Sequence, residues 1–362
     1  MRMLNRRNAL GVVVIIVAIV LLETYVWNWH LSISKVSIGR KTRDIVFLKV
    51  HKTGSSTIAN ILLRFGYSRN LNFALPRKRR GEIRYNYFGD VGETLNRSGV
   101  MGSKNSDDHF NVLFNHVVFN WTAFVRLFHK RTTTYVTMIR EPASQFRSAM
   151  LFFLHDKIYK AATANLTKYL ENPSLFEPED AYVSFTDNRQ ALDLGVPPKR
   201  VRQPVYIKTY IKLLDKAFDL VLITEYFDES LVLLRRKMSL STKDILYLKK
   251  NIAYKQFNFN FSAHDYVLLR RWAPADHMIY EHFHSKFIRT LKSEPSVVDE
   301  VMWYRTVLRN AQDFCSGSDA RSHLDIGESL WSEPFTVTSL DCAYMRLGEL
   351  EFLDKILHES PR

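Results

Sequence analysis

Cysteine is scarce: the 362-residue chain has only Cys315 and Cys342. That excludes a disulfide-stapled miniprotein, a four-cysteine zinc site and an iron–sulfur protein. Acidic residues are in short supply too, 37 against 51 lysines and arginines, leaving a net charge of +14. This disfavours a cationic partner and favours a phosphorylated or polyanionic one. Internal repeats and low-complexity segments are absent. What the chain does have is 46% hydrophobic and 13% aromatic residues, which excludes intrinsic disorder. It is long enough for a sizeable core, as one large domain or two.

One long apolar run stands out, Ala9 to Leu22, extended by Tyr25, Val26 and Trp27. Arg2, Arg6 and Arg7 precede it and no acid does, so the positive-inside rule keeps the short tail cytosolic. A cleaved signal peptide competes, but Glu23-Thr24-Tyr25-Val26-Trp27 is a poor cleavage site. The expectation is a type II signal anchor: residues 1–8 as tail, 9–27 as transmembrane helix, 28–43 as stem and 44–362 as a lumenal domain. Four sequons, at Asn96, Asn120, Asn165 and Asn260, mark glycosylation sites consistent with a lumen. That placement disfavours nucleic acid as the partner. In an oxidising lumen Cys315 and Cys342 are expected to pair, ahead of two buried thiols.

Asp44 to Val50 is short, β-branched and apolar, as a buried strand should be. It runs into His51-Lys52-Thr53-Gly54-Ser55-Ser56-Thr57, and a helix follows on Ile58, Ile61, Leu62 and Phe65, with Gly66 placed to end it. Residues 67–110, with Arg77-Lys78-Arg79-Arg80, read as an irregular insertion. A strand-like stretch over 111–119 contains His116. Thr133 to Ile139 is a second clear strand, ending in Arg140-Glu141-Pro142 before a helix. Asp219 to Thr224 is a third, with Asp228 as the following N-cap. Residues 242–310 read mainly as helices, including Ile245, Leu246 and Lys249. Strands alternating with helices give an α/β fold with a mainly parallel sheet in three layers.

A loop from a strand into a helix offers free N–H groups and the positive end of a helix dipole. Here it also carries Lys52, one glycine and the hydroxyls of Ser55, Ser56 and Thr57. It is not a Walker A sequence, because the lysine precedes the only glycine, and no apolar strand ends in an aspartate suited to magnesium. A phosphate-like group without metal is the expected guest. Arg140, at a strand's C-terminal end, and Ser148, two helical turns on, form a charged fork and a neutral donor for one further phosphate. Alone, Arg140 reads as a structural ion-pair partner of Glu141 or Glu225.

Together these segments resemble the Golgi carbohydrate sulfotransferases: the 51–57 loop their 5′-phosphosulfate loop, Arg140-Glu141-Pro142 with Ser148 their 3′-phosphate site. Phe47 to Thr57 and Leu222 to Leu231, with Tyr226-Phe227-Asp228, are similar to the galactose-3-O-sulfotransferases. The likeness covers roughly residues 44–290. It implies a P-loop-like sulfotransferase fold, a Golgi membrane location and the donor 3′-phosphoadenosine 5′-phosphosulfate, with no metal. It implies a galactose-terminated glycolipid or glycan as acceptor, a galactolipid such as galactosylceramide ahead of a glycoprotein glycan, and admits a homodimer. His51, Thr53, Gly54, Ser55, Ser56, Thr57, Arg140 and Ser148 would then bind the donor. Lys52 would neutralise charge on the departing phosphate.

A sugar hydroxyl needs a general base, and histidine has the suitable pKa. His116, between the two donor motifs, is the first candidate and His51 the second. The segment Asp187 to Gly195, Trp272 and Asp276 are weighed as acceptor contacts, with packing and capping the stronger reading. Two rivals remain. One is a heparan-type uronate 2-O-sulfotransferase, for which Arg77 to Arg80 would suit a polymer channel. The other is a non-catalytic, membrane-anchored glycan-binding protein.

Overall fold

The structure, a computed structural model, describes residues 44–359 apart from 78–85, 105–108, 153–159, 161, 163, 249–259 and 318–321. The expected anchor at 9–27 and its stem lie outside the described residues. Among those described, no helix is long and apolar enough to cross a membrane.

The central sheet has four parallel strands in the order β4-β1-β5-β6: β1 (Asp44–Leu48), β4 (Val112–Leu113), β5 (Thr133–Ile139) and β6 (Leu220–Ile223). β1 and β5 are buried along their whole length, which is why neither shows the strict apolar–polar alternation of a half-exposed strand; the buried Thr137 of β5 donates to the Leu48 carbonyl of β1. The helices are α1 (Ser55–Ser68), α2 (Trp121–Leu127), α3 (Pro142–Phe152), α4 (Leu166–Glu171), α5 (Arg189–Asp193), α6 (Pro204–Ala217), α7 (Phe227–Met238), α8 (Ala263–Trp272), α9 (Pro274–Ser293), α10 (Val297–Cys315), α11 (Ser339–Arg346) and α12 (Glu349–Glu359). The expected α/β class with a parallel sheet is present. Two small antiparallel pairs accompany it: β2 (Ala74–Pro76) with β3 (Val100–Gly102), and β7 (His323–Ile326) with β8 (Phe335–Thr338). Cys315 and Cys342 are bonded, tying the end of α10 to α11.

Several local expectations are corrected. The stretch 111–119 pairs as a strand only at Val112 and Leu113; His116 and Val118 form isolated bridges with Tyr87 and Thr94. Residues 74–76 and 100–102 form a sheet inside the supposed irregular insertion; Arg77 follows β2, and Lys78 to Arg80 lie outside the described residues. Ile245 ends a turn and Leu246 follows it in irregular backbone; neither is helical. Asp228 sits in the first turn of α7 rather than capping it, holding the Tyr247 hydroxyl and Arg305.

Gly66 does not end α1, which runs on to Ser68. Its role is packing: a Cβ there would come within 2.3 Å of the Phe73 ring. Gly66→Ala is expected to lower stability by about 1–3 kcal/mol, the usual cost of overpacking, despite alanine's better helix propensity. A thermal unfolding scan checks this; an unchanged midpoint would mean that Phe73 moves aside freely.

Candidate active site

The strand register sets the site. Leu48 pairs with Thr137, so Val50 comes level with Ile139 and the loops leaving β1 and β5 emerge side by side. This is the carboxyl edge of a parallel sheet, where such folds bind ligands. The first loop turns sharply: Lys52 and Gly54 have φ of 63° and 80°. A side chain at Gly54 would meet that strained backbone and the Phe227 ring at 3.2 Å. Gly54 is also the N-cap of α1 and supplies no side-chain cap; its carbonyl takes the Thr57 N–H at 3.0 Å, which leaves the Ser55 and Ser56 N–H groups at the helix start for a ligand.

The hydroxyls divide in a way the sequence does not show. Thr53 and Ser55 both donate to the Val50 carbonyl, at 3.0 and 2.9 Å. They brace the loop and have no proton left for an anion. Thr53 is fully buried, and its carbonyl accepts from the Thr224 hydroxyl at 2.7 Å. Ser55 still borders the cavity, with its proton spent, beside Ser56 and Thr57.

That cavity, about 760 Å³, gathers His51, Lys52, Ser56, His116, Arg140 and Ser148 on one surface. Gly54, Ser55 and Thr57 line it too; of the expected site residues only Thr53 and the sequons do not. An adjoining lobe of about 220 Å³ is lined by Lys52, Arg140, Arg147, Ser148 and Phe152. Lys52 Nζ stands 3.5 Å from the centre of the Phe152 ring and has no carboxylate partner among the described residues. Burial, then the nearby Arg140, lowers its pKa to about 8.

Arg140 is fixed through its backbone. The Gln190 side chain accepts from its N–H and donates to its carbonyl, both at 2.8 Å, as a neighbouring strand would. Its guanidinium donates to the Lys52 carbonyl at 3.3 Å and lies 4.0 Å from Glu225, so one of the two ion-pair partners considered from sequence is present. Arg140 Nε is buried without a hydrogen-bond partner, an orphaned cationic donor that fits an anionic guest. Gln190 is held in turn: Asp276 accepts from the N–H groups of Gln190 and Ala191, while Asn188 accepts from those of Ala275 and Asp276. Each helix thus caps the other. Asp276 and the 187–195 segment are packing and capping elements, as their stronger sequence reading had it.

Three rings meet at the cavity wall. His51 and His116 stack with centroids 4.1 Å apart, and Tyr87 stacks on His116 at 4.5 Å. His51 Nδ1 and its backbone N–H both meet Asp193 Oδ2, at 2.8 and 2.9 Å, and its Nε2 meets the Tyr87 hydroxyl at 2.6 Å. Asp193 also takes Arg189, which with His51 pulls its pKa down to about 2 against the effect of burial. Burial lowers the His51 pKa, and burial plus His51 lowers that of His116 well below the usual value. Both rings are therefore neutral near pH 7. His116 Nδ1 is shut away without a partner. Asp193, Gln190 and Tyr87 were missed as site-builders, because nothing in their local sequence points to partners 142, 50 and 36 residues away.

The four sequon asparagines are exposed. Asn120 and Asn165 cap α2 and α4 through Oδ1, which leaves their amide nitrogens outside the caps.

A family model described as galactose-3-O-sulfotransferase matches residues 15–326. Galactose-3-O-sulfotransferase 2 of Mus musculus is 30% identical over 282 residues, 75% of this chain and 69% of the relative. Galactosylceramide sulfotransferase of Mus musculus is 32% identical over 255 residues, 69% of this chain and 58% of the relative. Galactose-3-O-sulfotransferase 3 of Homo sapiens is 31% identical over 265 residues, 69% and 57% respectively. No solved structure matches.

With a lysine pKa of about 8, the charge at Lys52 is present below that pH and lost as pH rises through it. Affinity for adenosine 3′,5′-bisphosphate is expected to hold up to pH about 8 and to decline above it. Calorimetric titration across pH 6.5–9.5 checks this (roughly that span brackets the group), and in Lys52→Ala the decline should vanish along with most of the affinity.

Proposed function

This chain belongs to the galactose-3-O-sulfotransferase family and is by that membership an enzyme of the sulfotransferase class; on that premise we propose that it moves the sulfuryl group of 3′-phosphoadenosine 5′-phosphosulfate to the 3-OH of a terminal β-galactose. The observation that carries this reading is the convergence of Lys52, Arg140 and Ser148 on one cavity at the N-terminus of α1. A galactolipid such as galactosylceramide is the acceptor we favour. We place the chain in the Golgi membrane as a type II protein, with residues 9–27 as its anchor and glycans at the exposed sequons.

Roles follow from the geometry. The N–H groups at the start of α1 and the Ser56 and Thr57 hydroxyls hold the 5′ end of the donor; Arg140, through its orphaned Nε, and Ser148 hold the 3′-phosphate. In the transfer, the bond from sulfur to the 5′-phosphate oxygen breaks as a bond to the galactose 3-oxygen forms. Lys52 stands where negative charge grows on the leaving oxygen. The galactose hydroxyl's proton goes to a histidine. Asp193 holds His51 Nδ1 and fixes the tautomer with Nε2 as acceptor, the arrangement that orients a general base. We therefore assign the proton to His51 Nε2, with the acceptor hydroxyl taking the place of the Tyr87 hydroxyl, and give His116 the supporting stack. This reverses the order of candidates that sequence alone suggests.

Transfer of labelled sulfate from the donor to galactosylceramide, lactosides, a galactose-ended glycan and desulfated heparan tests the reading. Labelling of galactosides is expected, and labelling of heparan alone would move the acceptor to uronate. Lys52→Ala should abolish transfer while the protein still folds. His51→Ala should cost about 10²–10⁴-fold in kcat, the range of a lost general base. Asp193→Asn should reshape the pH profile. Full loss in His116→Ala with activity kept in His51→Ala would return the base to His116.

A further inference from the structure

The family match ends at residue 326, yet the cavity does not. Met345 and Glu349, both beyond that point, form part of its wall. This wall is built into the site. Asn60, one turn into the helix that begins at the anion loop, donates both its amide hydrogens to the Tyr344 and Leu347 carbonyls, at 3.0 and 3.1 Å. The Cys315–Cys342 bond fixes the other end of α11 to α10. Glu349 opens α12 and meets Lys49, a buried lysine at the end of β1, and the Asn86 amide at 3.2 Å.

The cavity is electrostatically divided. Lys52, Arg140 and Arg147 gather at the lobe shared with Ser148, which suits a polyanion. Glu349, Asn86 and Tyr87 lie on the rest of the wall, with Asn86 next in sequence to the tyrosine that touches His51. There the charges of Lys49 and Glu349 cancel, so neither a phosphate nor a sulfate is attracted. A neutral polyhydroxyl is. Each carboxylate oxygen has two lone-pair directions, and Glu349 spends one oxygen on Lys49 and the other on Asn86, leaving capacity to accept from sugar hydroxyls.

We propose that Glu349, presented by the segment after residue 326, is an acceptor-recognition residue that accepts a hydrogen bond from a galactose hydroxyl neighbouring the one sulfated. The assignment rests on the sulfotransferase reading above and adds the residue that sets acceptor choice. Because it lies outside the family match, acceptor preference is decided partly by this chain's own C-terminal segment.

The test is a cycle of two changes on the full chain in detergent: Glu349→Gln in the protein, and removal of the 2-, 4- or 6-hydroxyl in a β-galactoside acceptor. Glu349→Gln is expected to raise the acceptor KM about tenfold or more, as for a lost hydrogen bond to a charged group. Affinity for adenosine 3′,5′-bisphosphate should stay within about twofold. One deoxygalactoside, poor with the unmodified protein, should lose its handicap in the variant. A merely structural role would lower donor affinity and turnover for all acceptors alike, which overturns the proposal, as does an unchanged KM. If Glu349→Gln does not fold with Lys49 left unpaired, Glu349→Asp keeps the charge and draws the carboxylate back, and the same KM rise and deoxy pattern are expected. An unmodified protein that binds no adenosine 3′,5′-bisphosphate overturns the sulfotransferase reading itself; one that binds it while the deoxy pattern stays put overturns only the role of Glu349.

Discussion

Everything at the site depends on the parallel pairing of β1 with β5. Their register brings two loops out of the sheet at the same level, one with Lys52 and the other with Arg140. Two cations placed so close repel, and burial penalises both. The fold answers mainly with polar restraints, with one carboxylate, Glu225, at the edge of ion-pair range. Gln190 grips Arg140 by its backbone, the Lys52 carbonyl accepts from the guanidinium, and the Phe152 ring lies under the ammonium. Glu225 pairs with the guanidinium only at 4.0 Å and without a hydrogen bond, so it offsets the charge in part. The result is a cavity with positive charge still available, which is what an anionic donor requires.

Along and behind that surface runs a second set of paired groups. Asp193 takes both Arg189 and His51, and Glu349 takes Lys49. Removing one partner of such a pair leaves a buried charge and is far costlier than never having had the pair. The network therefore holds the His51 ring in one orientation and one tautomer. It also couples distant parts of the chain: α5 lies between β5 and β6 in sequence, and α12 is the last helix described.

The long segment after β6 is more than scaffold. Asp276 in α9 caps α5 and so steadies both Gln190 and Asp193. α10 receives Arg235 and Arg236 of α7 on the buried Glu300 and is bonded through Cys315 to α11, which leads into the cavity wall. The C-terminal third thus acts on the site twice, by fixing the residues behind the two loops and by forming part of the cavity wall.

The sequence by itself determined the strand–loop–helix around Lys52 and the strand ending at Arg140, because each rests on local signals: β-branched runs, a glycine turn, helical spacing; it allowed the Cys315–Cys342 bond, which the fold supplied. Spacing along α3 also sufficed to bring Ser148 to the same edge. Which hydroxyls are spent on the loop was shown only by the fold: Thr53 and Ser55 donate to the Val50 carbonyl, whereas Ser56 and Thr57 line the cavity. So was what holds each histidine. His51 and His116 look alike as residues, and only the approach of Asp193 from 142 positions away distinguishes them. Gly66 teaches the same lesson: its spacing suggests a helix end, whereas the Phe73 ring packed against it is the actual reason no side chain fits. Long-range contacts carry no local pattern, so partners, tautomers and the far wall of the cavity were decided by tertiary structure alone.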